Sequence, residues 1–214
     1  MWAEQMLLLP GASHAPTLYG CGDTLDQWAK AALKCVSGNR VIVVGCSIGG
    51  SCAIEIAAAA PERIAALVLI GTKARHRPDV DEHRTALSMV ERPQLAWKSL
   101  WAPLFSPSID PAKVRRAKAM MLAQSTGDIA RGVTAFHTRP DRNGFLSTFP
   151  GPLVVMTGAL DRRPGIEIST EQARAAPRGE LHIVSDCGHY LPLERPDYLN
   201  AVLRKLIAGE RSDR

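Results

Sequence analysis

Short apolar runs alternate with helical patterns along this chain. Arg40–Gly45 (RVIVVG) and Ala66–Gly71 (ALVLIG) are apolar between their ends, as expected of strands covered on both faces. Pro152–Gly158 (PLVVMTG) and Leu181–Ser185 (LHIVS) read as further strands, and Met6–Pro10 (MLLLP), closed by Pro-Gly, as a short first one. Between them lie helices. Leu25–Val36 places Leu25, Trp28, Ala29, Ala32 and Leu33 on one face behind an Asp23-Thr24 cap. Ser47–Ala60 is small and apolar until Pro61 stops it, Ile166–Ala176 follows the third apolar run, and Pro196–Ala208 is a terminal amphipathic helix. The alternation predicts an α/β fold: a mostly parallel sheet of about five to six strands with helices on both faces.

One segment breaks the alternation. Thr72–Phe149 has no strand-like run; it opens with the charged, turn-rich Lys73–Arg84 and continues as helical patterns at Thr85–Val90, Gln94–Leu104, Ala112–Ala123 and Asp128–Phe136. It predicts a helical cap (72–149) inserted into a core made of 1–71 and 150–214, over the strand ends where open α/β sheets bind ligands. Trp97, Trp101 and Phe105 fall at i, i+4 and i+8, a stripe that packs the cap on the core and lines a substrate pocket beneath it.

Composition narrows the setting. With 46% hydrophobic and 22% charged residues the chain reads as an ordinary soluble protein. Its start lacks the basic lead of a signal peptide, and its longest uncharged stretch is too short to span a bilayer, so a cytoplasmic protein is expected. Five cysteines without a CxxC pair fit reduced thiols, and no Cys/His cluster has the spacing of a metal site. The net charge of +5 does not point to nucleic acid. Residues 73–142 hold 13 Lys/Arg and 7 Asp/Glu, interleaved and without aromatics among a basic run; a solvated face is expected, with a mild preference for anionic substrates as the alternative.

The chemistry concentrates in three places. Gly45-Cys46-Ser47-Ile48-Gly49 joins a buried strand to a small-residue helix, the setting of a nucleophile elbow, whose sharp turn demands near-absent side chains beside the serine. A serine nucleophile needs a base, and the base an orienting acid. His189 alone of the six histidines follows the last strand, where a loop returns over the sheet. Asp161, directly after the penultimate strand, is the preferred acid over Asp186, which lies too close to His189 in sequence to reach round the imidazole. The oxyanion donors expected are the backbone N–H groups of Ile48 and of Ala12, in the Pro10-Gly11-Ala12 loop.

LLLPG (7–11), GCSIGG (45–50), APERIAALVLIGT (60–72), TRPD (138–141), GALD (158–161) and DCGHYLPLERP (186–196) together resemble the α/β-hydrolase superfamily, in its compact, capped, esterase-like branch. The resemblance runs over nearly the whole chain and implies the same Ser47–Asp161–His189 triad. One departure stands out: only 35 residues separate Gly11 from Ser47, so a strand-and-helix piece usual ahead of the elbow is missing and the fold is a truncated one. Met6–Pro10 is then expected at an edge of the sheet, and His14 and the Gly20–Gly22 loop are expected to approach the serine. The resemblance implies a cofactor-free serine hydrolase acting on a small-molecule ester, and the aromatic, Met-containing cap (Met89, Met120, Met121) favours a small to medium apolar acyl or aryl group. A thioesterase, lactonase, C–C hydrolase or perhydrolase would use the same triad, and a non-catalytic binding module on a hydrolase scaffold is the remaining reading.

Overall fold

Four strands form one parallel sheet in the order β1 (Val41–Cys46), β2 (Ile64–Ile70), β3 (Leu153–Gly158) and β4 (Gly179–Val184), in a computed structural model that describes residues 1–212. Their register aligns Cys46 with Ile70, Ile70 with Met156, and Met156 with His182, so the loops that follow the strands emerge at one end of the sheet. Those loops carry Ser47, Gly71, Asp161 and His189. The fold thereby gathers residues from four distant stretches of sequence at the strand ends.

Alternation along β2 explains why all seven of its residues are buried. Leu67 and Leu69 pack with Ala53, Ile54, Ala57, Leu153 and Val155 on one face. Val68 and Ile70 pack with Val154, Met156, Leu199, Val202 and Leu203 on the other. Helices cover both faces, which is what a parallel sheet of apolar strands requires. In chain order the helices are α1 (Leu25–Lys34), α2 (Ile48–Ala59), the segment α3 (Val80–Val90), α4 (Pro93–Ala96), α5 (Pro111–Leu122), α6 (Thr126–His137) and α7 (Asn143–Leu146) between β2 and β3, and then α8 (Gly165–Ala175), α9 (Leu191–Glu194) and α10 (Pro196–Ser212). The cap of α1 is a reciprocal box: Gln27 N–H donates to Thr24 Oγ1, and the Thr24 N–H donates to Gln27 Oε1.

Two expectations are corrected. Met6–Pro10 is not a strand, and the sheet has four strands among the described residues rather than five or six. Gln5–Leu7 form a single 3-10 turn whose amides bond locally, Met6 N–H to Trp2 and Leu8 N–H to Gln5. Leu8 packs on the core with Met1 and Trp2, whereas Leu7 is 74% exposed. A strand forms only against a neighbour, and a run covered on one side satisfies its backbone more readily as a turn. β1 is consequently an edge strand, half-buried from Val41 to Val44.

The aromatic helix expected at Gln94–Leu104 is likewise broken. Pro93–Ala96 are α-helical, Trp97–Trp101 widen into a π-turn, Ala102–Leu104 tighten into a 3-10 turn, and Phe105 is extended. Pro103 removes an amide the α-helix would need. The i, i+4, i+8 stripe therefore does not continue, although Trp97 and Phe105 still meet with ring centroids 6.0 Å apart.

Candidate active site

Ser47 stands between β1 and α2 with φ 55° and ψ −124°, a conformation L-residues rarely adopt. It is half-buried, its N–H donates to the Ile70 carbonyl at 2.9 Å, and its carbonyl accepts the N–H groups of Gly50 and Ser51, opening the helix. The turn is tight enough that a Cβ on Gly45 would lie 2.2 Å from the Gly49 carbonyl oxygen, so the glycine before the strand end is a steric requirement. The N–H of Ile48, at the start of the helix, has no acceptor within the chain among the described residues. A free amide at a helix N-terminus is suited to a developing oxyanion.

Asp161 and His189 are brought together. Nδ1–H of His189 donates to Asp161 Oδ2 at 2.9 Å, and both residues are buried, at 4% and 5% exposure. The second oxygen, Oδ1, accepts the Arg163 N–H at 2.8 Å, which fixes the carboxylate plane. Asp186 does not compete: its carbonyl accepts Arg195 Nη2, and its side chain makes no hydrogen bond to His189 among the described residues.

Gly71 joins this pair to the serine turn. It follows Ile70, whose carbonyl holds the Ser47 amide, and its backbone (φ 53°) passes directly beneath the pair. A Cβ there would sit 2.9 Å from His189 Nδ1 and 3.0 Å from Asp161 Oδ2. From the other side, Cys46 Sγ donates to the His189 carbonyl at 3.6 Å, and burial pushes that thiol's pKa up, so Cys46 is a neutral packing residue. Ser47 Oγ and His189 form no direct hydrogen bond among the described residues. Gly71→Ala is expected to cost at least about tenfold in kcat, because the methyl must displace one of the two partners while the fold persists. Turnover kinetics alongside a thermal melt check this; unchanged kcat would mean that the pair tolerates displacement.

The remaining expected residues divide. Phe105 lies beside the site: its ring is 4.6 Å from that of Tyr190, which in turn meets the His189 ring edge-on at 5.1 Å. Trp97 is buried against Phe105, and Trp101 packs on the core cluster that holds Ile70, Met156 and Tyr190. Ala12 does not offer a free donor, because its N–H is already given to Leu9 in an exposed turn that replaces the expected strand and loop. His14 is exposed and makes no hydrogen bond or ring contact with the site among the described residues. Tyr190 was not singled out by sequence, although it adjoins His189 in the motif. The basic segment is partly paired, Arg84 with Asp81, Arg131 with Asp128 and Arg142 with Glu55. Among the described residues no group of His, Cys, Asp or Glu is arranged to hold a metal, and no helix is long and apolar enough to cross a membrane.

A serine on a strained strand-to-helix turn, at the strand ends of a parallel sheet and beside a buried Asp–His pair, defines the α/β-hydrolase architecture. The chain belongs to the alpha/beta hydrolase family, whose profile matches residues 1–202. It is 25% identical to 2-hydroxymuconate semialdehyde hydrolase of Pseudomonas putida over 78% of this chain and 62% of that protein. It is also 25% identical to a carboxylesterase of Bacillus subtilis, over 86% of this chain and 62% of the relative. The chain thus spans less than two thirds of the length of these two relatives. Among solved structures, an enol-lactonase from Burkholderia xenovorans superposes with a TM-score of 0.80 at 19% identity, covering 97% of this chain and 85% of that one. A thermophilic esterase from Thermogutta terrifontis gives 0.78 at 22% identity, over 87% and 72% respectively.

Proposed function

We propose that this chain is a serine hydrolase that cleaves a carboxylic ester of a small to medium apolar substrate through an acyl-enzyme on Ser47. The observation that carries the reading is the buried 2.9 Å Asp161–His189 pair beside a serine held at φ 55°. With Nδ1–H committed to Asp161, the free ring nitrogen Nε2 is the one left to take the Ser47 proton. Serine attack on the ester carbonyl then gives a tetrahedral oxyanion, which the Ile48 N–H would stabilise. Collapse expels the alcohol as His189 returns the proton, and a water deprotonated by His189 releases the acid.

Residues 72–149 act in this proposal as the cap over the site, supported by Phe105 packing on Tyr190 and by the His189 N–H donating to the Leu104 carbonyl at 2.8 Å. Ala12 could serve as second oxyanion donor only by giving up its bond to Leu9. A cytoplasmic setting is part of the same reading, supported by the odd, unpatterned set of five cysteines.

A second reading keeps the serine and changes the bond to carbon–carbon. The similarity to a semialdehyde hydrolase, whose named substrate carries no ester, favours it. Incubation with a fluorophosphonate followed by peptide mass spectrometry tests the nucleophile, and Ser47 is the expected adduct. A panel of matched oxygen ester, thioester, lactone and vinylogous diketone then orders the substrates. Preference for the ester supports the first reading, and turnover of the diketone alone the second. Failure of folded protein to label at Ser47 would reject both.

A further inference from the structure

The most unusual charged group outside the triad is Glu194. It is buried, at 5% exposure, and forms no ion pair among the described residues. A buried carboxylate without a cation is costly unless hydrogen bonds replace its lost water. Three backbone amides do so: Oε2 accepts from Ser106 at 3.0 Å and from Gly188 at 2.9 Å, and Oε1 accepts from Tyr190 at 3.1 Å.

The identity of those donors is informative. Gly188 and Tyr190 flank His189, and Ser106 belongs to the segment between β2 and β3. The His189 N–H, lying between the two, goes to the Leu104 carbonyl at 2.8 Å. Three successive amides around the histidine are thus held by one carboxylate and one carbonyl. Two further bonds run in parallel, Ser108 Oγ to the Asp186 carbonyl and Lys113 Nζ to the Leu193 carbonyl. Glu194 is the only one of these contacts that holds both sides of His189 and the facing segment with a single side chain.

We infer that Glu194 is a positioning residue, a buried clamp that sets the His189 backbone and locks residues 104–106 against it. The inference rests on the reading of His189 as the base for Ser47. A glutamine cannot replace the carboxylate, because it offers one acceptor oxygen and turns an N–H₂ donor towards backbone donors. At least one of the three amides is then left without its partner, and the histidine loop gains freedom on the scale that a proton transfer registers.

The test compares the parent chain with Glu194→Gln by amide hydrogen exchange and by kinetics on the ester the parent turns over. Exchange is expected to accelerate in peptides covering 102–108 and 186–194 and to stay unchanged in β2 and β3. The value of kcat and the rate of fluorophosphonate labelling at Ser47 are expected to fall together by about tenfold to a hundredfold, with KM within about threefold. A merely structural role would lower the melting temperature and leave the folded fraction with parental kcat. That result, or unaltered exchange at either peptide, overturns the proposal. A parent that neither turns over ester nor labels, while Glu194→Gln still loosens both peptides, rejects the hydrolase reading and keeps the clamp.

Should Glu194→Gln fail to fold, Ser106→Pro removes the donor on the other side. Phe105, at φ −77° and ψ 150°, already has the conformation proline demands of the residue before it. Faster exchange at 186–194 with lower kcat is expected, and parental values of both would sink the clamp.

Discussion

Ser47→Ala is expected, on the proposed acyl-enzyme mechanism, to remove ester turnover almost completely, with kcat lower by about 10⁵-fold to 10⁶-fold and the fold intact. The size follows from the chemistry. Without Oγ no acyl-enzyme forms, and His189 can act only on water, which must attack without the proximity the serine supplies. The residual rate would come from the Ile48 amide and from substrate binding. Stability should hardly change: Ser47 Oγ makes no hydrogen bond among the described residues, so its removal leaves no buried partner unsatisfied. Alanine also meets the same φ of 55° with the same Cβ, so the strain of the turn is common to both proteins. Single-turnover kinetics with a thermal melt measure both halves. A folded variant that kept more than a tenth of the parental rate would remove Ser47 from the mechanism.

The serine turn was legible because its cause is local. An apolar strand, two flanking glycines and a small-residue helix lie within 20 residues of one another, and the structure adds the backbone angles and corrects the expected cover: β1 is half-buried from Val41 to Val44 because it lies at the sheet edge. Asp161 and His189 were legible by address, since a parallel sheet delivers each loop to the same end. What the sequence does not display depends on contacts between distant segments. Gly71 ends an apolar run like many glycines, and only the superposed loops show that a methyl there would strike the Asp–His pair. Glu194 falls inside a quoted motif, yet its partner Ser106 stands 88 positions away and offers a backbone amide, which no residue type announces. Met6–Pro10 misled for the converse reason. Its leucines carry the composition of a strand, but strand formation is decided by a neighbour, and the edge of β1 has none on that side among the described residues.

Asp161→Asn is expected to cost about 10⁴-fold in kcat, although it preserves shape and most contacts. In the parent, Oδ2 accepts the Nδ1–H of His189, leaving Nε2 as the unprotonated nitrogen that can receive the serine proton. An asparagine retains one oxygen, and the Arg163 amide already claims an acceptor at 2.8 Å. The carboxamide oxygen is therefore expected to stay with Arg163 and to turn its N–H₂ towards Nδ1. That contact is favourable only if Nδ1 is the acceptor, which moves the imidazole proton to Nε2 and points a donor at the serine. The base is then blocked by its tautomer rather than by its position. Loss of the facing negative charge adds to this, since the imidazolium formed during attack is no longer compensated in a buried site. The signature is a fall in kcat with KM nearly unchanged and a parental melting profile. Hydroxide can supply part of the missing base, so the residual rate should climb with pH beyond the range in which the parent has levelled off. Parental kcat in Asp161→Asn would transfer the orienting role to another group, and a rise in KM alone would make Asp161 a binding residue.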